Sequence, residues 1–433
     1  MISDSHDGIG QTMTNAALVA VLWLAAALLS QAMAHAATQT FAVWLSSGIT
    51  FAALLVGARW TWPALLAGVA LAATAWGMIG HQLAVGPALA YGGVEALSMA
   101  LGAWVATLAR HDHTSPRGAA ALLAGALVAA STGATLAAAM WVWLRPGAGF
   151  GVEWRTWFLS TLVGLLLIAP LVTAFRGFRV RRSGGLAMAP FLGGAAAFAV
   201  FIAAVLLVFA DHAQQRWGEV AATLAYLPMP FLLAASLLWG PRGGTLATLL
   251  GALLIIGRTA QGGGPFAVHE GFAGEAVIEV QGFVTAWVMV LLLTRALAEG
   301  RRVALARARE WQLRYERTLR AVGVASVEYD TVSGSATWGD GVADVLGPAA
   351  ARAASLQDWL DLIDPAERGL VQAAWQQVAD GARAASEQAY LLRLPGGATQ
   401  RVRERLAAVQ GGDGRVERIV ALLDLVAEEA RHG

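Results

Sequence analysis

Apolar runs about as long as a bilayer is thick recur between residues 14 and 297, and they decide what this chain can fold into. A helix needs about 20 apolar residues to cross a hydrocarbon core ~30 Å thick, since each residue rises ~1.5 Å. Ten stretches meet or approach that length: 14–37, 41–59, 62–80, 83–108, 119–144, 155–175, 186–210, 220–239, 243–258 and 275–297. In lipid every backbone N–H and C=O has to find a partner within protein, so such runs form helices. Gly57-Ala58-Arg59-Trp60 separates the second run from the third, and Gly240-Pro241-Arg242-Gly243 the eighth from the ninth, each as a tight hairpin. The first run has no basic leader and another run follows it at once, so it reads as a span and not as a cleaved signal.

Composition agrees and closes several function classes. The chain is 57% hydrophobic and 14% charged, against about 25% charged in soluble domains. It has no cysteine, which excludes disulfides, thiolate metal sites, iron–sulfur clusters and a cysteine nucleophile. No lysine occurs, so all 30 basic residues are arginine. Retinal and pyridoxal phosphate need a lysine Schiff base, and a Walker A loop needs its lysine. A net charge of +1 gives no argument for nucleic acid.

Arginine placement sets orientation. With a cytoplasmic N-terminus, the inner connections carry Arg59, Arg110, Arg117, Arg176, Arg179, Arg181, Arg182 and Arg242. The outer ones carry Arg145, Arg155, Arg216 and Arg258, offset by Glu153, Asp211, Glu219 and Glu270. Ten crossings return the chain to the cytoplasm, where Arg301, Arg302, Arg307 and Arg309 follow. The outer loops are short, so a stimulus has to be sensed in or at the membrane.

Charge becomes dense after residue 297. Residues 298–322 read as a linker helix with one apolar stripe, Ala304, Ala308, Trp311, Tyr315, Leu319 and Val322, at helical spacing. The stripe either packs on the following domain or forms a two-helix coil in a homodimer, and Trp311, Tyr315 and Leu319 are its relay candidates. Residues 323–433 read as an α+β domain, with strands over 325–330, 335–338, 387–394, 400–409 and 415–424 and helices over 340–347, 355–362 and 366–380. Pro395-Gly396-Gly397 and Gly411-Gly412-Asp413-Gly414 fall between strand patterns as turns.

Two family resemblances follow. Ala42-Val43-Trp44-Leu45-Ser46-Ser47-Gly48-Ile49, Leu54-Leu55-Val56-Gly57-Ala58-Arg59-Trp60-Thr61-Trp62-Pro63-Ala64 and Gly92-Gly93-Val94-Glu95-Ala96-Leu97 come in order. Gly164-Leu165-Leu166-Leu167-Ile168-Ala169-Pro170-Leu171 and Leu238-Trp239-Gly240-Pro241-Arg242-Gly243-Gly244 complete the set. Residues 15–297, within a membrane domain read as 1–297, thereby resemble the first class of MASE domain, a membrane-integral bacterial sensor. Farther on stand Val327-Glu328-Tyr329-Asp330, Thr337-Trp338, Val345-Leu346-Gly347, Trp359-Leu360, Ile363-Asp364-Pro365-Ala366-Glu367-Arg368 and Tyr390-Leu391-Leu392-Arg393-Leu394. These, with Gly396-Gly397 and Gly412-Asp413-Gly414-Arg415, resemble a PAS domain, a five-stranded sheet flanked by helices. The family's usual closing Asp-Ile-Thr is here Asp424-Leu425-Val426, so the output junction is only partly kept.

The fold expected is a polytopic all-α membrane bundle of about ten helices followed by a cytoplasmic PAS domain. The resemblance implies a multi-pass sensor in the bacterial inner membrane, with both termini cytoplasmic. It implies an output of the histidine kinase or cyclic di-GMP class, diguanylate cyclase or phosphodiesterase. Such an output needs a further ~100–150 residues, so the chain is expected to be a fragment or to signal through a partner. Gly411-Gly412-Asp413 begins like a cyclase signature, but an Asp-Gly turn between strands accounts for it.

Glu95 lies near the middle of the fourth run, where a carboxylate is costly and marks a site by default. Trp44 and Arg59 sit inside the matching stretches. Glu279 shares a helix face with Glu275 on the run that continues into the linker. These four are the candidates for contacting a small ligand or a membrane partner protein. His35, His81, His212 and His269 map to the outer side without ligand spacing and read as scattered interfacial histidines, not a metal site. Trp60, Trp62, Trp141, Trp143, Trp154, Trp157, Trp217 and Trp239 read as an aromatic belt. Pro170, Pro228 and Pro230 are expected to kink their spans. No cofactor is expected in the PAS half: it lacks cysteine for flavin adducts and has no histidine between 311 and 431 for haem. A non-covalent flavin beside Trp338 is the one option left open. Two rival readings remain, a transporter with a regulatory PAS domain and a partner-binding membrane scaffold, and the poverty of midplane charge counts against the first.

Overall fold

The computed structural model describes residues 3–34, 40–108, 115–178, 187–211, 218–267, 275–339, 341–348, 350–394, 399–412 and 414–426. His35, His212 and His269, Arg110, Arg179, Arg181, Arg182, Arg216, Trp217, Glu270, the Pro395-Gly396-Gly397 turn and Asp413 lie outside the described residues, as does the Glu219 side chain. The chain divides into two compact units, Met1–Arg302 and Val303–Gly433.

The first unit is helical. Its elements are α1 (Ser3–Ala32), α2 (Leu45–Val56), α3 (Trp62–Ile79), α4 (Val85–Leu108), α5 (Pro116–Leu144), α6 (Phe150–Ala174), α7 (Met188–Val208), α8 (Ala221–Leu224), α9 (Met229–Leu238), α10 (Gly240–Ala260) and α11 (Glu275–Ala321). Among the described residues, eight helices are long and apolar enough to cross a membrane, and α2 and α9 are shorter apolar helices. Large apolar side chains point outward around the bundle, Leu71 and Ile79 among them at 70% and 80% exposure. That pattern is costly in water and natural in lipid.

The two short helices depart from the ten long spans that the apolar runs predict. Over 218–238, Pro228 precedes α9 and Pro230 stands in its first turn. Proline lacks an N–H, which helix starts tolerate and helix interiors do not, so these residues begin a helix and do not kink one. Over 41–56 no breaker is present. Phe41–Trp44 stay out of the helix because tertiary partners claim their backbone: Trp44 N–H donates to Ser160 O at 2.9 Å, and Gln281 Nε2 donates to Phe41 O and Ala42 O at 3.0 and 3.1 Å. Ser30 Oγ accepts from the Leu45 N–H at 3.0 Å, at the start of α2. Of the three prolines only Pro170 lies beyond the first turn of a helix, in α6.

Small residues let these helices approach closely. A Cβ on Gly164 would collide with Trp44 O, and one on Gly48 with Gly164 O, so α2 and α6 touch backbone to backbone. A Cβ on Gly102 would lie 2.5 Å from Gly125 O, and one on Gly125 2.6 Å from Gly102 O, the same device joining α4 to α5. Pair by pair, Ala16 meets Gly68 near the middle of α1 and α3, while Trp23, Ala27, Ala73 and Trp76 share a cluster farther along both. These two helices therefore run parallel. So do α7 and α10, where Gly194 meets Trp239, Phe201 meets Gly251 and Phe209 O accepts from Arg258.

The second unit carries β1 (Val324–Asp330), β2 (Ala336–Trp338), β3 (Ala385–Arg393), β4 (Thr399–Gln410) and β5 (Val416–Leu425). They form one antiparallel sheet of order β2-β1-β5-β4-β3. Helices α12 (Val342–Leu346), α13 (Leu356–Asp361) and α14 (Pro365–Ala379) lie between β2 and β3 in the chain. Ser355 and Asp358 form a capping box on α13, and Asp364 caps α14 while pairing with Arg393 at 2.6 Å. Period-two alternation sends Val402, Glu404 and Leu406 of β4 into a core with Trp359, Trp375 and Tyr390, and Arg401 and Arg405 out of it. Gly411 and Gly414 close the turn between β4 and β5, Gly414 with φ +80° and its N–H 3.1 Å from Gly411 O.

Candidate functional site

The α2 lead-in builds the most elaborate site in the bundle. Trp44, Trp76, Tyr91 and Trp157, with Phe41 and His81, wall a cavity of about 450 Å³. Arg145 and Glu153 also line it, and the Arg145 guanidinium stacks 4.1 Å from the Trp141 ring centroid. The rings interlock edge to face: Phe41 to Trp44 at 5.0 Å, Tyr91 to Trp157 at 5.8 Å, and His81 to Trp141 at 5.5 Å. Burial holds the His81 imidazole below its ordinary value, and the Arg145 charge adds to the effect. Trp44 Nε1, Trp76 Nε1 and His81 Nε2 are buried without a partner among the described residues.

Glu95 sits behind the cavity wall. Ser47 Oγ donates to it, 2.9 Å from Oε1 and 3.0 Å from Oε2, and Trp23 Nε1 donates to Oε1 at 3.2 Å. Trp23 in turn lies edge-on to Trp44, with centroids 5.9 Å apart. Glu95 is thus joined to the cavity through one tryptophan, and α1, α2 and α4 are tied at a single carboxyl. Ser46 Oγ, donating to Trp23 O at 2.9 Å, locks the same corner.

The remaining candidates fall elsewhere. Arg59 stands in the turn after α2, where its Nη2 donates to Thr107 Oγ1 at 3.1 Å; the cavity lies beyond the other end of α2. Glu279 is exposed on α11, while its near neighbour Gln281 is fully buried and holds the Phe41–Ala42 backbone. Trp311 and Tyr315 on α11 are 70% and 53% exposed, and Leu319 is half-buried. Trp338 donates from Nε1 to Ala353 O at 2.7 Å and packs on Trp359 at 5.1 Å, as a core residue does. Among the described residues no cluster of three or more His, Cys, Asp or Glu could hold a metal ion.

Several site residues were not singled out by the sequence reading. Trp141 and Trp157, read there as belt, belong to the cavity. Gln281 carries no motif, and Ser47 stands inside the Ala42–Ile49 stretch without being singled out; an amide or hydroxyl at the buried position of an apolar helix is the signal that marks them. In the sheet unit, Glu404 is fully buried, taking hydrogen bonds from Gln388 Nε2 at 2.8 Å and Trp375 Nε1 at 3.2 Å. Burial pushes its carboxyl up to about 7 against those hydrogen bonds. Its place on the inward parity of an alternating strand was readable.

A family model for the MASE1 domain matches residues 13–302. The chain belongs to the MASE1 family. No curated protein matches the sequence. The MASE1 chain is also similar to solved structures. One is the N-terminal domain of a diguanylate cyclase with a PAS/PAC sensor from Marinobacter aquaeolei, at 17% identity and TM-score 0.22 over 23% of this chain and 92% of that one. A second is a sensory box histidine kinase/response regulator from Burkholderia thailandensis, at 16% identity and TM-score 0.23 over 26% of this chain and 84% of that one. A third is an RNA-binding light-oxygen-voltage receptor, at 22% identity and TM-score 0.23, of which the chain covers 31%. The MASE1 region and its apolar helices make this an integral membrane protein of the signalling-input class.

Proposed function

We propose that this protein is the sensory input module of a bacterial inner-membrane signalling protein and that the aromatic cavity receives its stimulus, a small ligand. The observation that carries this reading is the position of Gln281. The residue that holds the cavity's Phe41–Ala42 backbone stands on α11, the 47-residue helix that runs on to Ala321, directly before β1. A ligand that moves Trp44 acts on the same helix that precedes the sheet unit.

The sheet unit is read as a cytoplasmic PAS domain covering 323–433, the bundle as 1–297 and the linker as 298–322. The strand count, the helices between β2 and β3, and the motif order support it. Ten crossings with both termini cytoplasmic are supported by the parallel pairs α1/α3 and α7/α10, since each pair needs an intervening return crossing. Segment 41–56 suffices for one: four extended residues and a 12-residue helix reach ~31 Å. The exposed Trp311–Tyr315 stripe supports a coil in a homodimer over packing on the sheet. The output, a histidine kinase or a cyclic di-GMP enzyme, acts downstream of this chain. Neither a cofactor nor nucleic acid enters the reading.

The test is mass spectrometry of small molecules released from the purified detergent-solubilised protein, with Trp44→Ala beside it. A stoichiometric compound lost in Trp44→Ala supports the cavity as receptor. A compound retained by that variant, or none in either protein, favours recognition of a membrane partner protein instead.

A further inference from the structure

A second cavity, of about 200 Å³, opens among α5, α6, the α9–α10 turn and α11. It lies at the other end of the bundle from the aromatic cavity, where α11 passes the Pro241 turn and the start of α5 at Pro116. Its polar wall is Thr173, Ser236, Thr245, Arg295, Glu299 and Arg302.

Arg295 is the unusual member. Its Nη2 donates to Pro241 O at 2.6 Å, the one hydrogen bond its side chain makes among the described residues. A guanidinium carries five N–H donors, so four are left for other partners. Glu299 is one turn away on the same face, yet it pairs with Arg302 at 2.8 Å. Among the described residues no other acidic side chain lines the cavity. A cation half-withdrawn from water at membrane depth needs an anion, because an unpaired buried charge costs far more than a paired one. Ser236 repeats the signal: it is fully buried in the same wall, and its Oγ has no partner among the described residues. An arginine fork and an unused hydroxyl around a space several waters in size match a phosphate, which arginine binds bidentately. Two arginines against one glutamate leave the wall net positive, and basic pockets between helices at this level suit anionic headgroups.

We infer that this cavity is a phosphate-binding site, formed by Arg295 with Ser236 and Arg302, for an anionic phospholipid headgroup or a soluble phosphate compound. The occupant completes the charge of Arg295 and fastens α11 to the α9–α10 turn. The site is separate from the aromatic cavity and stands whether or not that cavity takes a ligand.

The test uses the full chain, delipidated in detergent and read by native mass spectrometry. One arm titrates short-chain phosphatidylglycerol against phosphatidylcholine of the same length; the other titrates pyrophosphate. Retention of phosphatidylglycerol over phosphatidylcholine, weakened about tenfold or more in Arg295→Gln, assigns a lipid headgroup. Retention of pyrophosphate with the same loss, and no preference between lipids, assigns a soluble phosphate. Equal retention by wild type and Arg295→Gln in both arms, or no retention by wild type, overturns the inference. Should Arg295→Gln fail to fold, Ser236→Ala and Glu299→Gln decide: the first weakens and the second strengthens retention if the site is real, and no change in either overturns it.

Discussion

Neutralising Glu404 should remove a pH dependence that the sheet unit otherwise carries. The carboxyl is fully buried, no arginine pairs with it among the described residues, and its value rises from 4.5 to about 7 in the fold. The phenols facing it, Tyr329 and Tyr390, are themselves pushed up by burial and stay neutral across this window. With a folded value above the unfolded one, the fold holds its proton more tightly than the open chain does. Stability is therefore complete below pH ~4.5 and is lost as the pH rises toward and through ~7. At ~1.4 kcal/mol per pH unit the full swing is about 3 kcal/mol. The unfolded carboxyl is already mostly ionised at pH 5, so about 2.5 kcal/mol of this is lost between pH 5 and pH 8, and with a urea m-value of ~2 kcal/mol/M the midpoint should fall by about 1.2 M. Pulse proteolysis of the full chain in urea reads this midpoint from cleavage within β3–β5. Glu404→Gln keeps an acceptor for Gln388 and Trp375 but cannot ionise, so its midpoint should stay level over the same range. A wild-type midpoint that is flat or falls toward acid, or a Glu404→Gln slope equal to wild type, refutes the reasoning.

Three further outcomes are expected in the bundle. Glu95→Gln retains one acceptor for Ser47 and Trp23 and should keep the melting temperature within a few degrees, whereas Glu95→Leu strands both donors and should lose about 2–4 kcal/mol, seen as a clear drop in thermal unfolding. Gln281→Leu leaves Phe41 O and Ala42 O without their donor and should destabilise by about 1–3 kcal/mol, with faster hydrogen exchange at Ala42–Leu45 in the full chain. Gly164→Val places a side chain against Trp44 O and should lower stability by about 1–3 kcal/mol or more, while Gly282→Ala, whose Cβ meets nothing within 4 Å, should not; paired thermal unfolding curves compare them.

Where the sequence carried local signals, it placed elements closely. Each strand and helix of the sheet unit lies within about two residues of the range that alternation and turn residues predict. Glu95 stood out because a carboxyl within a long apolar run has few bland explanations. What stayed hidden depends on partners far apart in the chain. Nothing local ends a helix at Phe41–Trp44; residue 281 does, from 239–240 positions away. The end-of-span position of Trp141 and Trp157 fits a belt as well as a cavity wall, and only packing separates the two. Pro228 and Pro230 announce a break without saying whether it is a kink or a start. Glu404 was different: its inward parity between Val402 and Leu406 was available, and three flanking arginines, Arg401, Arg403 and Arg405, disguised the strand as a charged surface ladder.

The two interruptions in the bundle meet on one helix, and that arrangement bounds what a stimulus can do. Gln281 and Arg295 are 14 positions apart on α11, about 21 Å along its axis and within ~40° of the same face. Gln281 holds carbonyls ahead of α2, and Arg295 holds the Pro241 carbonyl at the turn from α9 into α10. The Phe41 and Ala42 carbonyls have no helical partner and, in lipid, no water, so α11 is their satisfaction, while the Pro241 carbonyl shares Arg295 with Thr245 Oγ1, which donates to it at 2.9 Å. A shift of the α2 lead-in must either take α11 with it or abandon the Gln281 bonds, at about 1–3 kcal/mol for the stranded carbonyls. That figure sets the coupling available between the aromatic cavity and α11. A ligand preferring one arrangement by the same amount changes the ratio of states about 5- to 150-fold, enough to switch a helix poised near balance. A ligand with equal affinity for both arrangements switches nothing, however tightly it binds.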